Sequence, residues 1–300
     1  MKLLIVGDPS GVMTLDVLER GVNPSDITVW ENTRKGLVCA KMRNVSVVEN
    51  LEVLSGMQFD VIIGNPPYQG PDNVKNAVYV SIWTQFWSHS LRLLKPGGKI
   101  SLITPLTWCA PGGQLRGKWK YRGMTRLWDV FNMFTTVAQI EGIDKHFKGV
   151  GSSFSVVSVD TSGSDGIRFV IPDENGKLVD ENFDTSLGFH PLSGVDRVKA
   201  ELSSTNNIGD TFPVSGKSQP LLRVSIPKTR KLTEESVEIL QPGGTRKYDI
   251  KDSLCTFIYP NTMEEAERIR QRVLDCSDIL YKHCRYNGFI DGTVMKSISV

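Results

Sequence analysis

Asp60 to Tyr68 reads D-V-I-I-G-N-P-P-Y. The apolar run before Gly64 has the length and β-branched content of a buried strand. Asn65 therefore emerges at a strand's carboxyl end. Pro66 and Pro67 each fix φ and remove a backbone donor, and a residue before proline is pushed away from the helical region. The turn is stiff, its carbonyls are left to accept hydrogen bonds, and Tyr68 sets an aromatic face beside them. An exocyclic amine offers two N–H donors and a weakly nucleophilic nitrogen. An asparagine side-chain oxygen and a proline carbonyl can accept both hydrogens, while the ring stacks on a flat base. This is a preorganised acceptor site rather than a general acid–base pair.

Upstream of that stretch, strand and helix signals alternate. Leu3–Val6 and Ile27–Trp30 read as strands, and Val45–Val48 as a third. Helical spacing covers Val12–Arg20 and Lys35–Arg43 between them. Downstream, Ala77–Leu94 reads as a helix ended by Pro96-Gly97-Gly98, and Lys99–Thr104 as the next strand. Trp128–Phe134 and Phe154–Val159 read as further strands. This rhythm predicts an α/β fold with a doubly wound, mostly parallel sheet, whose ligands bind at the carboxyl ends of the strands. The polar run Thr161–Gly166 is the expected boundary, giving domains at 1–165 and 166–300. The second reads as a smaller mixed α+β domain of short strands and turns. It has one clear helix, Met263–His283, with Thr262 as N-cap and three glutamates in or near its first turn.

The string FDVIIGNPPYQ resembles the N6-adenine DNA methyltransferases of the gamma class, within the amino-methyltransferases that carry Asn-Pro-Pro-Tyr. That resemblance implies a Rossmann-like methyltransferase fold, S-adenosylmethionine as cofactor, and duplex DNA as partner. It makes Asn65, Pro66, Pro67 and Tyr68 the catalytic segment, with the tyrosine stacking on a flipped adenine. Leu3–Gly11 (LLIVGDPSG) is similar to the family's first cofactor motif, which brings Asp8 and Gly11 to the methionine part of the cofactor. Met13 stands where the family has a second glycine. Glu31, closing the second strand, takes the ribose-binding role. The family's next motif places an Asp by the cofactor adenine; here the region reads V-V-E-N-L-E, and Glu49 or Asn50 fills the place, with Asn50 our choice. LLKPGGKISLITP resembles the helix–turn–strand after the catalytic motif. GSSFS at 151–155 resembles a later motif, with Phe154 against the base. A cofactor motif that the family carries upstream of the first strand is not found before Leu3.

Gln114–Arg126 (QLRGKWKYRGMTR) is basic, without an acid, and interleaved with aromatics. Arg116, Lys118, Trp119, Lys120 and Arg122 suit phosphate contact and base stacking, on a flexible loop that orders on DNA. In the second domain Arg223, Lys228, Arg230, Lys231, Arg246 and Lys247 could also touch DNA. Such clusters matter because the 300-residue chain has a formal net charge of only +2. Its 23% charged and 40% hydrophobic residues exclude disorder as the main state. Five cysteines without a CxxC pair argue against a disulfide scaffold or zinc site, so no metal is expected and a cytoplasmic setting fits; the family resemblance implies a bacterium or its phage as the source. No stretch is long and apolar enough to cross a bilayer. The competing readings are methylation of RNA or of a protein glutamine, and a degenerate DNA-binding protein. The extra domain lies after the core, which favours DNA. A cognate restriction endonuclease or a completing partner chain would be its associates.

Overall fold

The computed structural model describes residues 1–68, 82–109, 114–140, 154–172, 177–181, 187, 189–191, 195–203, 205–228, 232–247, 250–286, 289–290 and 292–299. They divide into two compact units. Of the described residues, the first unit takes 1–105, 114–140 and 154–170, and the second takes 106–109 and those from 171 onward.

The first unit opens with β1 (Leu3–Val6), α1 (Val12–Glu19), β2 (Ile27–Trp30), α2 (Arg34–Met42) and β3 (Ser46–Val48). It continues with β4 (Phe59–Gly64), α3 (Trp83–Leu93), β5 (Leu94–Pro105), α4 (Leu127–Asn132), β6 (Thr135–Gln139), β7 (Phe154–Asp160) and β8 (Gly166–Pro172). Its strands run in the order β3-β2-β1-β4-β5-β7-β6-β8. β1, β2, β3, β4 and β5 are mutually parallel. β7 is reversed between β5 and β6, and β8 runs parallel to β6. That order with that one reversed strand is the Rossmann-like methyltransferase fold.

The central strand β1 is apolar and buried at every position because both faces of the sheet are covered. Leu3, Ile5, Ile27 and Val29 meet Val17 of α1 and Ala40 of α2 in one core. Elsewhere in the unit, Trp30 of β2 meets Phe86 edge-on at 4.7 Å, and Trp87 meets Phe131 at the same distance. The Trp87 indole also donates to Thr104 Oγ1 at 3.0 Å, so this large ring is buried without leaving its N–H unpaired.

Trp128–Phe134, expected as a strand, is largely the helix α4, and the strand follows at Thr135. Leu127, Trp128, Val130 and Phe131 are all buried. Their spacing at i, i+1, i+3 and i+4 is one helical face, which an uninterrupted apolar run conceals. β5 begins at Leu94, earlier than expected, and accommodates Pro96-Gly97-Gly98 through a register shift against β4 between Phe59 and Val61. Of the expected helix Ala77–Leu94, residues 77–81 lie outside the described residues. The turn Thr161–Gly166 joins β7 to β8, and the division between the units falls beyond it, after Val170.

In the second unit β9 (Leu178–Glu181), α5 (Val195–Glu201) and α6 (Ile208–Thr211) come first; β10 (Val214–Ser215), β11 (Arg223–Pro227), β12 (Glu238–Leu240) and β13 (Cys255–Ile258) then form an antiparallel sheet in the order β10-β13-β11-β12. The expected long helix is two: α7 (Met263–Asp275) and α8 (Ser277–His283), separated at Cys276. Thr262 caps α7 as expected, in a reciprocal box with Glu265. α7 is tied to the chain before β12 by Arg270, which donates to the carbonyls of Val237 at 2.9 Å and Glu234 at 2.6 Å. Among the described residues, no helix is long and apolar enough to cross a membrane.

Candidate active site at the carboxyl edge of the sheet

Register builds the site. Val6 lies opposite Trp30 and Gly64, and Trp30 lies opposite Val48. The next residue of each strand is therefore in one row: Gly7, Glu31, Glu49 and Asn65. Backbone bonds hold the row together, from Gly7 N–H to Trp30 O (3.0 Å), Glu31 N–H to Val48 O (3.1 Å) and Asn65 N–H to Val6 O (2.8 Å). Gly7 has φ +70°, and a Cβ there would fall 2.3 Å from the Asn65 carbonyl oxygen. Only glycine allows the turn after β1 to lie against the Asn-Pro-Pro-Tyr backbone.

Asp8 is 2% exposed, and its carboxylate is fully engaged within the turn. It accepts from the Met13 N–H at 3.3 Å, and from the Thr14 N–H and hydroxyl at 2.8 and 2.7 Å. It thus holds the first turn of α1 and shapes the loop that faces the edge. Met13 is helical and packs on the core. Gly11 has φ +70°, and a Cβ there would meet Cys39 Cβ at 2.9 Å.

Glu31 is also 2% exposed. One carboxylate oxygen accepts from the N–H groups of Asn32 and Thr33, both at 2.8 Å. The other, Oε2, is buried without a donor. A buried carboxylate oxygen lacking a donor is costly, and hydroxyl donors such as those of a ribose would satisfy it. A Cβ on Gly36 would sit 2.3 Å from Glu31 Cγ, so the first turn of α2 closes directly over this acid. Asn50, by contrast, is exposed and its Oδ1 accepts from the Glu52 N–H at 2.9 Å, which caps the short 3-10 turn Leu51–Leu54.

Asn65, half-buried, accepts at Oδ1 from the Tyr68 hydroxyl in a short hydrogen bond. An amide oxygen has two lone pairs, so one remains for a substrate N–H. Burial pushes the Tyr68 phenol well above its usual range, so it stays a protonated donor at working pH. Pro66 is buried and Pro67 half-buried. Phe154 is opposite Pro105 in the β5–β7 register, which sets it at the same edge. Its ring centroid is 4.9 Å from that of Tyr68, at 34° between planes. At 2% exposure Phe154 supports the tyrosine ring from behind, and it is Tyr68 that presents an aromatic surface.

The basic stretch packs along α3, and Lys118 Nζ reaches Glu52, in the turn after β3, at 3.9 Å. Arg92, in the last turn of α3, donates to the carbonyls of Lys118 (2.9 Å) and Lys120 (2.6 Å). Tyr121 lies 6.3 Å from Phe134, the residue before β6. The segment is not an unformed loop. Gln114 bridges Arg126, Tyr121 bridges Met124, and Arg122 and Gly123 take left-handed conformations at the tip. Arg116, Lys118, Lys120 and Arg122 are exposed, and Trp119 is half-buried under Lys118, whose Nζ is 5.0 Å from the ring. Leu115 and Tyr121, 1% and 7% exposed, pin the hairpin down; the glycines serve its turns. Thr14 and Gly36 were invisible as site-building residues because their roles depend on helix geometry around Asp8 and Glu31.

The sheet has the Rossmann-like methyltransferase order, with an Asn-Pro-Pro-Tyr turn on its carboxyl edge. Residues 26–131, about a third of the chain, match the family model of the Eco57I restriction-modification methylase. No curated protein matches the chain. Among solved structures, the M protein of the type I restriction enzyme EcoKI is similar with a TM-score of 0.40 and 12% identity, over 93% of this chain and 68% of that one. A Listeria monocytogenes protein assigned to the class I S-adenosylmethionine-dependent methyltransferases gives 0.35 and 14%, over 56% and 59%. TrmN from Thermus thermophilus gives 0.30 and 15%, over 53% and 43%. Among the described residues no group of three or more His, Cys, Asp or Glu side chains could hold a metal ion.

Proposed function

We propose that this chain methylates the N6 amine of adenine in duplex DNA, with S-adenosylmethionine as donor. The observation that carries the reading is the Asn65–Tyr68 turn, held against the β1 turn in a row with Glu31. When bound, the cofactor supplies an electrophilic methyl group. The protein does the rest. Glu31 Oε2 receives the ribose hydroxyls, and the loop shaped by Asp8, with Gly11 at its bend, approaches the methionine end. Asn50 reaches the cofactor's adenine from the turn after β3. The free lone pair of Asn65 Oδ1 and the Pro66 carbonyl accept the two N–H groups of the target amine, with Pro67 stiffening the turn. Accepting both hydrogens leaves the nitrogen lone pair free for in-line attack; the N–CH3 bond would form as the cofactor's S–CH3 bond breaks to leave a neutral thioether, and the extra proton on nitrogen would pass to solvent. Tyr68 stacks on the flipped base, with Phe154 behind it. The second unit reads the target sequence.

Transfer of a labelled methyl group from S-adenosylmethionine to unmethylated duplex DNA tests this, with the product nucleoside identified by mass. N6-methyladenine that disappears in Asn65→Ala is the expected result. Transfer to RNA or to a protein glutamine instead would redirect the substrate. Absence of both transfer and cofactor binding would sink the catalytic reading.

A further inference from the structure

Beside β11, the second unit has a cavity of about 450 Å³ lined by Ser218, Arg223, Gly244, Thr245, Arg246, Lys247, Ile250 and Asp252. That size falls in the usual range of ligand clefts, about 300–1,000 Å³. Two of its cations are built into the fold. Arg223 is 6% exposed. Its two terminal nitrogens donate to the carbonyls of Leu221 (2.9 Å) and Gly244 (2.7 Å). Its Nε is buried without an acceptor, and among the described residues no carboxylate pairs with it. Arg246, with a side chain only 12% exposed, is oriented by the Ile250 carbonyl, Asp252 and the Cys255 sulfur. Lys247 stands exposed at the rim. Asp252, the one acid among the lining residues, pairs with Arg246, and Glu238 just outside the lining accepts from the Lys247 backbone N–H at 2.9 Å, so Arg223 is the lining cation left without a carboxylate partner.

A buried guanidinium without a counter-charge is costly unless an anion completes it. Arginine forks held by carbonyls are preset for a phosphate. We propose that this cavity is a phosphate site, and that its occupant is a backbone phosphate of nucleic acid gripped by Arg223, Arg246 and Lys247. The Gln241–Gly244 turn, with Gly243 at φ +74°, brings the Gly244 carbonyl onto Arg223. The inference deepens the DNA reading, yet it concerns binding and is independent of methyl transfer.

The test uses the full chain carrying Asn65→Ala, so that binding is read without catalysis. Anisotropy of a labelled duplex is followed across a salt series for that protein and for the same protein with Lys247→Gln. Lys247 is exposed and its backbone N–H bond to Glu238 survives the change, so folding is not at stake. Loss of one phosphate contact is expected to flatten the slope of log affinity against log salt by about one. Arg223→Lys, checked for folding by circular dichroism, should weaken binding further because the fork is lost. In parallel, acylation of Lys247 is measured with duplex or with inorganic phosphate present. Protection by duplex supports the proposal in full. Protection by inorganic phosphate alone keeps the phosphate site but overturns the nucleic-acid occupant. An unchanged slope with no protection by either overturns the proposal, whatever the methyl-transfer assay shows.

Discussion

At the amino edge of the large sheet, Asp60 pairs with Lys95 at 2.7 Å and Asp160 with Lys99 at 2.9 Å. These pairs stand partly in solvent. At the carboxyl edge, Asp8 and Glu31 are 2% exposed, and no described cation pairs with either; they accept from backbone N–H groups and a hydroxyl instead. Backbone donors hold acids at both ends, Lys2 N–H on Asp60 at 2.6 Å and Ser162 N–H on Asp160 at 2.9 Å included, but only the amino-edge acids add a solvated ion pair. A parallel sheet turns every one of its strands into a loop or helix start on the same side, and such turns are rich in unpaired N–H groups. Acids held by backbone donors are fixed in position. Solvated ion pairs are screened and contribute little.

The largest effect expected at the carboxyl edge is chemical. Asn65→Ala should lower the methyl-transfer rate by about 10²–10³-fold or more, on the scale of losing one preorganised polar contact to the reacting group. Folding should be near normal by circular dichroism. Retained activity would break the assignment of that edge as the active site.

Next comes the backbone packing beneath it. Gly7→Ala adds a Cβ 2.3 Å from the Asn65 carbonyl at a left-handed φ. The strained backbone alone costs about 1–3 kcal/mol, and the displaced Asn65 turn should cost activity too. Thermal unfolding and methyl transfer measured on one preparation would show both losses together. Asp8→Asn should be milder, at about 0.5–2 kcal/mol, the range for losing a helix-start acceptor. Chemical denaturation of the pair Asp8→Asn and Thr14→Val would show whether the two losses fail to add, as a shared hydrogen bond demands.

The smallest effect belongs to the amino edge. Bonds from Ser162 and Lys99 hold the Asp160 carboxyl at about 2, below its ordinary 3.8. A lowered acid stabilises the fold above the ordinary value, and that contribution is lost as pH falls from about 4 through 2. Lys99→Gln should reduce this acid sensitivity and change stability at neutral pH by less than about 1 kcal/mol. Unfolding curves at pH 7 and pH 3, at low and high salt, would check it. A large neutral-pH loss would erase the contrast between the edges.

Much of this was legible in the residues. The order of β1, α1, β2, α2, β3 and β4 follows from hydrophobic period and turn punctuation, within a residue or two of the observed ends. Asn65 and Glu31 were placed correctly at strand ends, since a strand's end is a local property. The α4 segment was misread because a short apolar run has no period to distinguish helix from strand. The break at Cys276 was missed for a similar reason, as helical spacing continues across it. The basic stretch was read correctly as charged and aromatic, but its folding into a hairpin depends on Arg92, more than twenty residues earlier.

The sequence by itself determined the alternating α/β plan and the stiff acceptor turn at Asn65–Tyr68, because periodicity and proline chemistry act over a few neighbouring residues. Tertiary structure alone decided the rest. The register aligned Gly7, Glu31, Glu49 and Asn65 in one row, and turned Phe154 to back Tyr68. It spent both Asp8 oxygens on α1, left Glu31 Oε2 without a donor, and packed the basic hairpin against the last turn of α3. Each of these is a relation between residues distant in the chain, fixed only when strands pair and side chains compete for the same donors and the same space.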